Sequence, residues 1–291
     1  REGFPPLRGE DGSRPSGGEE GSRPSGARKG GARMDGVLDG DDETAALGAA
    51  VAMNNTWGRQ DLAIGRDYHQ RVLHGEDLSQ GVRFEWAWPD AGGRVLGFPE
   101  LIVGRKPWGG PAGGDLLPLP LGETAGLTAR WTADWGGETG GFNLAFDLWI
   151  SAGPEADPDA IRTEVMVWIK RGDFPSSGEP AAMVTQGLLA GPLHRDPGHG
   201  NAPGESWGYL AWLPETGAGL GRGEIDLGGL LAALAAEGLI DPAHHLTSIE
   251  FGPEITRGAG WVAISEFSVA RDAAAETRQE TRIEIPPPPD L

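Results

Sequence analysis

The stretch FNLAFDLWI, residues 142–150, decides the fold, because its side chains alternate with a period of two. One face of this segment is apolar and consists of Phe142, Leu144, Phe146, Leu148 and Ile150. The opposite face carries Asn143, Ala145, Asp147 and Trp149. Successive side chains of a β-strand point to opposite faces, so the segment predicts a strand with one side in a core.

The same alternation recurs along the chain. In TEVMVWI, residues 163–169, the apolar side chains Val165, Val167 and Ile169 oppose Glu164, Met166 and Trp168. Further strands are predicted at 82–88, 127–133, 207–213 and 260–269, between turns rich in Gly and Pro. One helix is predicted at 227–237, with Asp226 as its cap and an apolar leucine stripe that we expect to face the core. This pattern predicts an all-β fold, a two-sheet antiparallel β-sandwich with one short helix packed on it.

The two ends differ from this middle part. Residues 1–45 contain GSRPSG at 12–17 and again at 21–26, and residues 271–291 contain four successive prolines. Such segments bury too little apolar surface to offset the entropy lost when their backbone is ordered. We therefore expect a disordered Gly/Pro/Ser-rich linker over 1–45, one folded domain over 46–270 and a disordered C-terminal tail over 271–291.

The composition excludes several classes of function. The 291 residues include no cysteine, so disulfides, thiol nucleophiles and thiolate metal sites are ruled out. The net charge is −19, of which −14 falls on residues 46–270 because the two ends together carry −5. Nucleic acids and anionic membranes bind clustered Lys and Arg, so neither is an expected partner. The sequence contains no apolar run of about 18 residues, the length that crosses a bilayer.

The histidines do not form a recognisable metal site. His244 and His245 are adjacent, so their side chains point apart in a helix or a strand. His194 and His199 lie in a Gly/Pro-rich segment without an evident set of acidic partners. Exposed or hydrogen-bonded histidines are therefore favoured over zinc ligands.

The polar faces of the two alternating strands have an unusual composition. They present Asp147, Trp149, Glu164, Met166 and Trp168, where a solvated sheet usually carries Thr, Lys, Ser and Arg. Indole faces stack on sugar rings, and a carboxyl beside apolar groups acquires a raised pKa. A sugar-binding groove is one interpretation. Tryptophans packed under loops beside a solvated glutamate are the other, and the alternation alone leaves both open.

Five motifs along the chain favour the first interpretation. They are NNTWG at 54–58, FPELIVGRKPWG at 98–109, FDLWI at 146–150, EVMVW at 164–168 and LTSIEFGPEITRGAG at 246–260. In their order and spacing they resemble glycoside hydrolase family 12, and the predicted helix also occupies that family's position. The resemblance spans roughly residues 50–270 and implies a jelly-roll, concanavalin-like sandwich that holds a cellulose-type glucan across one sheet.

The resemblance also implies the catalytic residues. Glu164 matches the nucleophile, Glu254 the acid/base, and Asp147 the aspartate that lies beside the nucleophile and hydrogen-bonds it. The family uses two glutamates and no metal or other cofactor. Retaining hydrolysis needs two carboxyls about 5–5.5 Å apart, one ionised and one protonated. We therefore expect Asp147 to tune Glu164, and Glu254 to lie in the drier environment.

Further positions match groove residues. The resemblance implies that Asn55 and Trp57 hold and stack on sugars, and that Met166 lies close to the scissile sugar. Trp108 and Trp207 are candidate additional platforms, although packing in the core or under loops explains each equally well.

The function implied is that of a retaining endo-β-1,4-glucanase. Its partner would be a β-1,4-glucan, and we expect a monomer. A xyloglucan-specific endoglucanase and a non-catalytic glucan-binding module on the same fold remain as alternatives. Because polymeric glucan lies outside cells, we expect a secreted, extracellular protein, although no signal-peptide pattern is visible in the sequence.

Overall fold

A computed structural model of the chain describes residues 34–200, 204–216, 219–272 and 280–287. Most of the predicted linker, and parts of the predicted tail, lie outside these residues. The strands are β1 Gly36–Leu38, β2 Thr44–Ala46, β3 Val51–Met53, β4 His69–His74, β5 Val82–Trp88, β6 Glu100–Gly104, β7 Leu119–Pro120, β8 Leu127–Gly137, β9 Leu144–Ser151, β10 Ile161–Lys170, β11 Glu179–Gln186, β12 Leu189–His199, β13 Trp207–Trp212, β14 Arg222–Asp226, β15 His245–Gly252, β16 Gly258–Arg271 and β17 Thr281–Glu284. The described residues contain one α-helix, α1, at Leu227–Ala236.

The strands form two sheets, which confirms the predicted β-sandwich. The smaller sheet has the order β1-β4-β5-β16-β8-β14. The larger sheet has the order β17-β11-β12-β13-β10-β9-β15-β6-β3-β2, and β7 pairs with β15. Described pairs are antiparallel except β10 with β13. All six predicted strand regions are present, so a period of two along the sequence was sufficient to find them.

The core lies between the two sheets and is rich in aromatic side chains. Trp131 of the smaller sheet meets Phe146 of the larger sheet edge-on, with ring centroids 5.3 Å apart. Phe146 in turn stacks on Phe251 of β15 at 4.4 Å. All three side chains are buried, and each contributes about 2–3 kcal/mol by leaving water. The apolar face of residues 142–150 therefore faces the core, as predicted.

The helix forms where its sequence signals predict it. The Asp226 carboxylate accepts a hydrogen bond from the Gly229 N–H at 2.8 Å, which satisfies one of the free donors at the helix start. Gly238 follows the helix with φ of 67°, the left-handed conformation that commonly ends helices. Leu230, Leu231 and Leu234 are buried, so the leucine stripe is a core face.

The predicted domain boundaries are too narrow. β1 and β2 begin before residue 46 and pair with β4 and β3. β17 lies after residue 270 and pairs with β11. These strands have only three or four residues, too few for an alternation to stand out from a polar, Gly-rich background.

Candidate active site

Strand β9 brings the candidate residues together on the face of the larger sheet that is turned away from the core. We call this the outer face, and define it by Asp147, Glu164, Met166 and Glu250. β9 lies between β10 and β15, with Asp147 directly opposite both Met166 and Glu250. Glu164 is opposite Trp149 on the same pair of strands. Because directly paired residues share a face of a sheet, the register gathers three carboxyl groups at one place.

Glu164 is buried and hydrogen-bonded. Its side chain is 8% exposed, and Oε2 accepts the indole N–H of Trp207 at 2.8 Å. The pKa of Glu164 is raised to about 8. Burial is the largest cause and the charge on Glu254 adds to it, whereas the hydrogen bond from Trp207 lowers the pKa. His199 Nε2 lies 3.9 Å from the same carboxyl oxygen. Burial lowers the pKa of His199, so this ring is mostly neutral near pH 7.

Glu254 follows β15 and is held by a single asparagine. Asn143 Nδ2 donates to Glu254 Oε2, and Asn143 Oδ1 accepts the Glu254 N–H at 2.9 Å. The Asn143 N–H also donates to the Glu254 carbonyl at 3.1 Å. Burial raises the pKa of Glu254 to about 7, against the Asn143 bond, which lowers it. The sequence predicted no role for Asn143, although it lies on the polar face of residues 142–150.

Asp147 is buried, and its Oδ1 has no hydrogen-bond partner among the described residues. The expected hydrogen bond from Asp147 to Glu164 stays a prediction. Burial, followed by the charges of Glu164 and Glu250, raises the pKa of Asp147 well above its usual range. The expectation that Glu254 lies in the drier environment is wrong, because Glu254 is partly exposed while Glu164 is buried. Glu164 therefore occupies the drier position.

Two tryptophans are exposed near the carboxyl groups. Trp57 is 46% exposed and Trp108 is 43% exposed, so both indoles are accessible to a ligand. Asn55 lies below Trp57 and is buried. Its Nδ2 donates to Glu100 Oε1 at 2.8 Å and its Oδ1 accepts the Trp57 backbone N–H at 3.1 Å. Both polar ends of Asn55 are thus engaged within the protein, and its contacts orient Trp57.

The other two predicted groove residues are buried. Trp207 lies beneath Trp108, edge-on at 6.0 Å, and uses its N–H for Glu164. Met166 Sδ accepts from the Tyr209 hydroxyl at 3.3 Å and from the Trp168 N–H at 3.5 Å. Trp207 therefore binds Glu164 through its indole N–H, and Met166 packs against Tyr209 and Trp168 beside it.

Sequence reasoning missed three charged residues and misjudged one histidine. Lys106 Nζ donates to Glu100 and Glu250, and all three are buried. The sequence feature that could have identified Glu100 is its position as the one charged residue of the strand ELIVG, residues 100–104. His199 was expected to lack acidic partners, but it lies 3.4 Å from Asp196 as well as beside Glu164.

Neither a metal-binding cluster nor a membrane-spanning helix is present in the described ranges. Within them, no group of three or more His, Asp or Glu side chains is placed to hold a metal ion. In the same part of the chain, no helix is both long enough and apolar enough to cross a bilayer.

Several known proteins are similar to this chain in sequence or in fold. No protein-family model matches the chain. Endoglucanase S of Pectobacterium parmentieri is 24% identical over 222 residues, 74% of this chain and 79% of that protein. A family 12 xyloglucanase from Bacillus licheniformis superposes with a TM-score of 0.72 at 18% identity, over 81% of this chain and all of that one.

Two further solved structures agree. An endoglucanase from Rhodothermus marinus gives a TM-score of 0.67 at 23% identity, covering 81% of this chain and 98% of the other. A family 12 endoglucanase from Trichoderma harzianum gives 0.67 at 14% identity, covering 81% and 97%. The resemblance drawn from the five motifs is thereby confirmed in the fold, a jelly-roll sandwich matched over nearly the full length of each of these solved structures.

Proposed function

We propose that this protein is a member of glycoside hydrolase family 12 and acts as a retaining endo-β-1,4-glucanase on cellulose-type β-glucans. The fold and the order of the five motifs support the family. The activity is supported above all by one arrangement: Asn143 holds the carboxyl of Glu254 at the start of the strand that carries Asp147, and Glu164 lies on the strand paired with it. Double displacement requires two such carboxyls, one ionised and one protonated.

The first step forms a covalent intermediate. The ionised Glu164 carboxylate attacks the anomeric carbon, and the bond from that carbon to the glycosidic oxygen breaks. Glu254 gives its proton to the departing oxygen, so the leaving chain ends in a hydroxyl group. Trp207 holds the attacking carboxylate through its N–H, and Asn143 fixes the carboxyl of Glu254 from the opposite side.

The second step releases the sugar. Glu254, now ionised, takes a proton from a water molecule, whose oxygen attacks the anomeric carbon. The ester bond to Glu164 breaks and Glu164 leaves as a carboxylate, while Glu254 is protonated again. Two inversions restore the original anomeric configuration.

Asp147 supports this cycle because it holds a proton more readily than an ordinary aspartate does. Burial and the charge of Glu164 raise its pKa well above the usual range, since two ionised carboxylates in one buried site repel each other. A neutral Asp147 beside Glu164 leaves the negative charge on the attacking group. The protons of these coupled carboxyls are shared, so the measured pKa values belong to the group as a whole.

Two other functions fit parts of the site. The Bacillus licheniformis relative is a xyloglucanase, so a xyloglucan-specific endoglucanase is the second candidate. A non-catalytic glucan-binding module is disfavoured, because binding sugars does not require two glutamates with raised pKa values.

Product analysis tests the proposal. Wild-type protein should release reducing ends from carboxymethylcellulose or mixed-linkage β-glucan, and NMR during the reaction should show the β-anomer first. E164Q and E254Q should each retain less than about 1% of this activity. Faster hydrolysis of xyloglucan would select the second candidate. Retention on insoluble glucan without reducing ends would establish the binding module instead.

The substrate also suggests where the protein works. A polymeric glucan is met outside the cell, so the proposed activity implies an extracellular, secreted protein. We expect it to act as a monomer.

A further inference from the structure

A buried ammonium group lies on the outer face beside the carboxyl groups of the proposed mechanism. Lys106 Nζ donates to Glu100 Oε1 at 2.6 Å and to Glu250 Oε2 at 2.9 Å. Glu100 and Glu250 are at most 1% exposed. No step of the reaction uses these three residues. Buried ion pairs add little to stability, because desolvation offsets their attraction, so stability alone is a weak explanation for the triad.

One branch of the triad leads to the nucleophile. Glu250 is directly opposite Asp147 in the register of β15 and β9, and Asp147 is directly opposite Met166, two residues from Glu164. The charge of Glu250 raises the pKa of both Asp147 and Glu164, whereas the charge of Lys106 lowers both. Lys106 is therefore a counter-charge within a group of carboxyls.

The other branch leads to the exposed tryptophans. Glu100 Oε1, which binds Lys106, also accepts from Asn55 Nδ2, and Asn55 in turn holds the Trp57 backbone. Trp108 follows Lys106 by two residues in the same loop. The Lys106 ammonium group is thus connected to Trp57 through Glu100 and Asn55, and to Trp108 through the loop that both residues share.

We propose that Lys106 is a positioning residue that joins the two halves of the site. Through Glu250 it sets the charge around Glu164, and through Glu100 and Asn55 it holds Trp57 in place. The inference rests on the proposed function for its catalytic meaning, but the coupling of Lys106 to Glu164 can be measured without turnover. Several titratable groups face the Glu164 carboxyl or couple to it. They are Asp147 of β9, Glu250 and Glu254 of the β15 region, His199 of β12 and Tyr209 of β13. Glu100 of β6 couples to Glu250 and Lys106.

The indole N–H of Trp207 reports the titration of Glu164 directly, because it donates to that carboxyl. Its ¹⁵N–¹H resonance can be identified by its absence in W207F and then followed with pH. In K106M the midpoint should rise by about 0.5–1 pH unit, because the favourable charge is lost. In K106R it should stay near the wild-type value. A folded K106M that titrates like wild type would overturn the proposal.

Lys170 supplies a matched control. It is also buried, but its Nζ donates to the backbone carbonyls of Thr139, Phe142 and Arg171, so K170M should leave the Trp207 midpoint unchanged. A K170M midpoint displaced as far as that of K106M would show a general effect of losing a buried lysine, and would also overturn the proposal.

A double variant keeps the test possible if K106M does not fold. K106M/E100Q removes both partners of one ion pair, so it leaves fewer unpaired buried charges than K106M. Its midpoint should also rise, because Lys106 is still missing, and an unchanged midpoint would count against the inference. With a glucan substrate, K106M should raise KM through Trp57 and move the alkaline limb of kcat/KM upward. Absence of glucanase activity in the wild type would refute the proposed function, while the titration would still decide the role of Lys106.

Discussion

Trp207 lies on β13 diagonally across from Glu164 on β10, and its indole N–H donates to the Glu164 carboxylate at 2.8 Å. These two strands form the parallel pair of the larger sheet. The bond lowers the pKa of Glu164 against the effect of burial, so it favours the ionised form that attacks the sugar.

Replacing this donor should make the nucleophile harder to ionise. A hydrogen bond to a charged group contributes about 1.5–3 kcal/mol, which corresponds to about one to two pH units. Because the pKa of Glu164 lies above that of Glu254, the active form is a minority of the protein, and W207F should reduce it further. Activity at pH 6 should therefore fall about tenfold, and the alkaline limb of kcat/KM should move up by about one unit. An alkaline limb that stays in place would show that Trp207 only packs against Glu164.

The wild-type pH profile should be bell-shaped and centred above pH 7. The active form has Glu164 ionised and Glu254 protonated, and burial raises their pKa values to about 8 and about 7. Initial rates on a soluble β-glucan should therefore peak between these values and fall on both sides. Full activity at pH 5 would mean that both carboxyls titrate as solvated groups do.

Asn143 should control the acid limb, because Glu254 has the lower pKa of the two glutamates. Its side-chain bond lowers the pKa of Glu254, so N143A should raise that pKa and move the acid limb of kcat/KM to higher pH. The lost orientation of the acid should also reduce kcat about tenfold. An acid limb that moves to lower pH, or does not move, would contradict the assigned contact.

Removing the charge at Glu164 should stabilise the fold at alkaline pH. The folded protein holds this proton to about pH 8, whereas an unfolded glutamate releases it near pH 4.3. Wild-type stability therefore falls as pH rises between these values. E164Q has no such group, so its Tm should exceed that of wild type by about 4–8 °C at pH 8.5, and the gap should close at pH 4. A gap that is independent of pH would reject the assigned burial.

Trp57 should contribute to substrate binding, because its indole is exposed and its backbone is held by Asn55, which also binds the buried Glu100. W57A should raise KM on long glucans about tenfold while changing kcat less. Trp261 is the matched control, since it lies on β16 of the smaller sheet and stacks with Arg83. Equal effects of W57A and W261A would show that Trp57 does not line the substrate groove.

Short-range patterns in the sequence predicted much of the fold. The alternation at 142–150 and 163–169 identified β9 and β10, because one side of each strand had to be apolar. The capping aspartate and the leucine spacing identified α1. The edge strands β1, β2 and β17 were missed, since three or four residues carry too little alternation.

The site was predictable only where a motif names the residue. Glu164 and Glu254 came from motif order, but their partners are distant in sequence: Trp207 is 43 residues from Glu164 and Asn143 is 111 residues from Glu254. Lys106 and Glu250, 144 residues apart, meet only because β6 and β15 are neighbours. No local pattern encodes such contacts, because the register of the β-sheet sets which residues are neighbours.

The exposed indole of Trp108 rests edge-on against Trp149 at 4.8 Å and near Trp207 at 6.0 Å. A sugar that stacks on Trp108 would change the polarity around a cluster of coupled fluorophores. The groove therefore carries its own optical reporter, and emission from these indoles can follow occupancy in unlabelled protein.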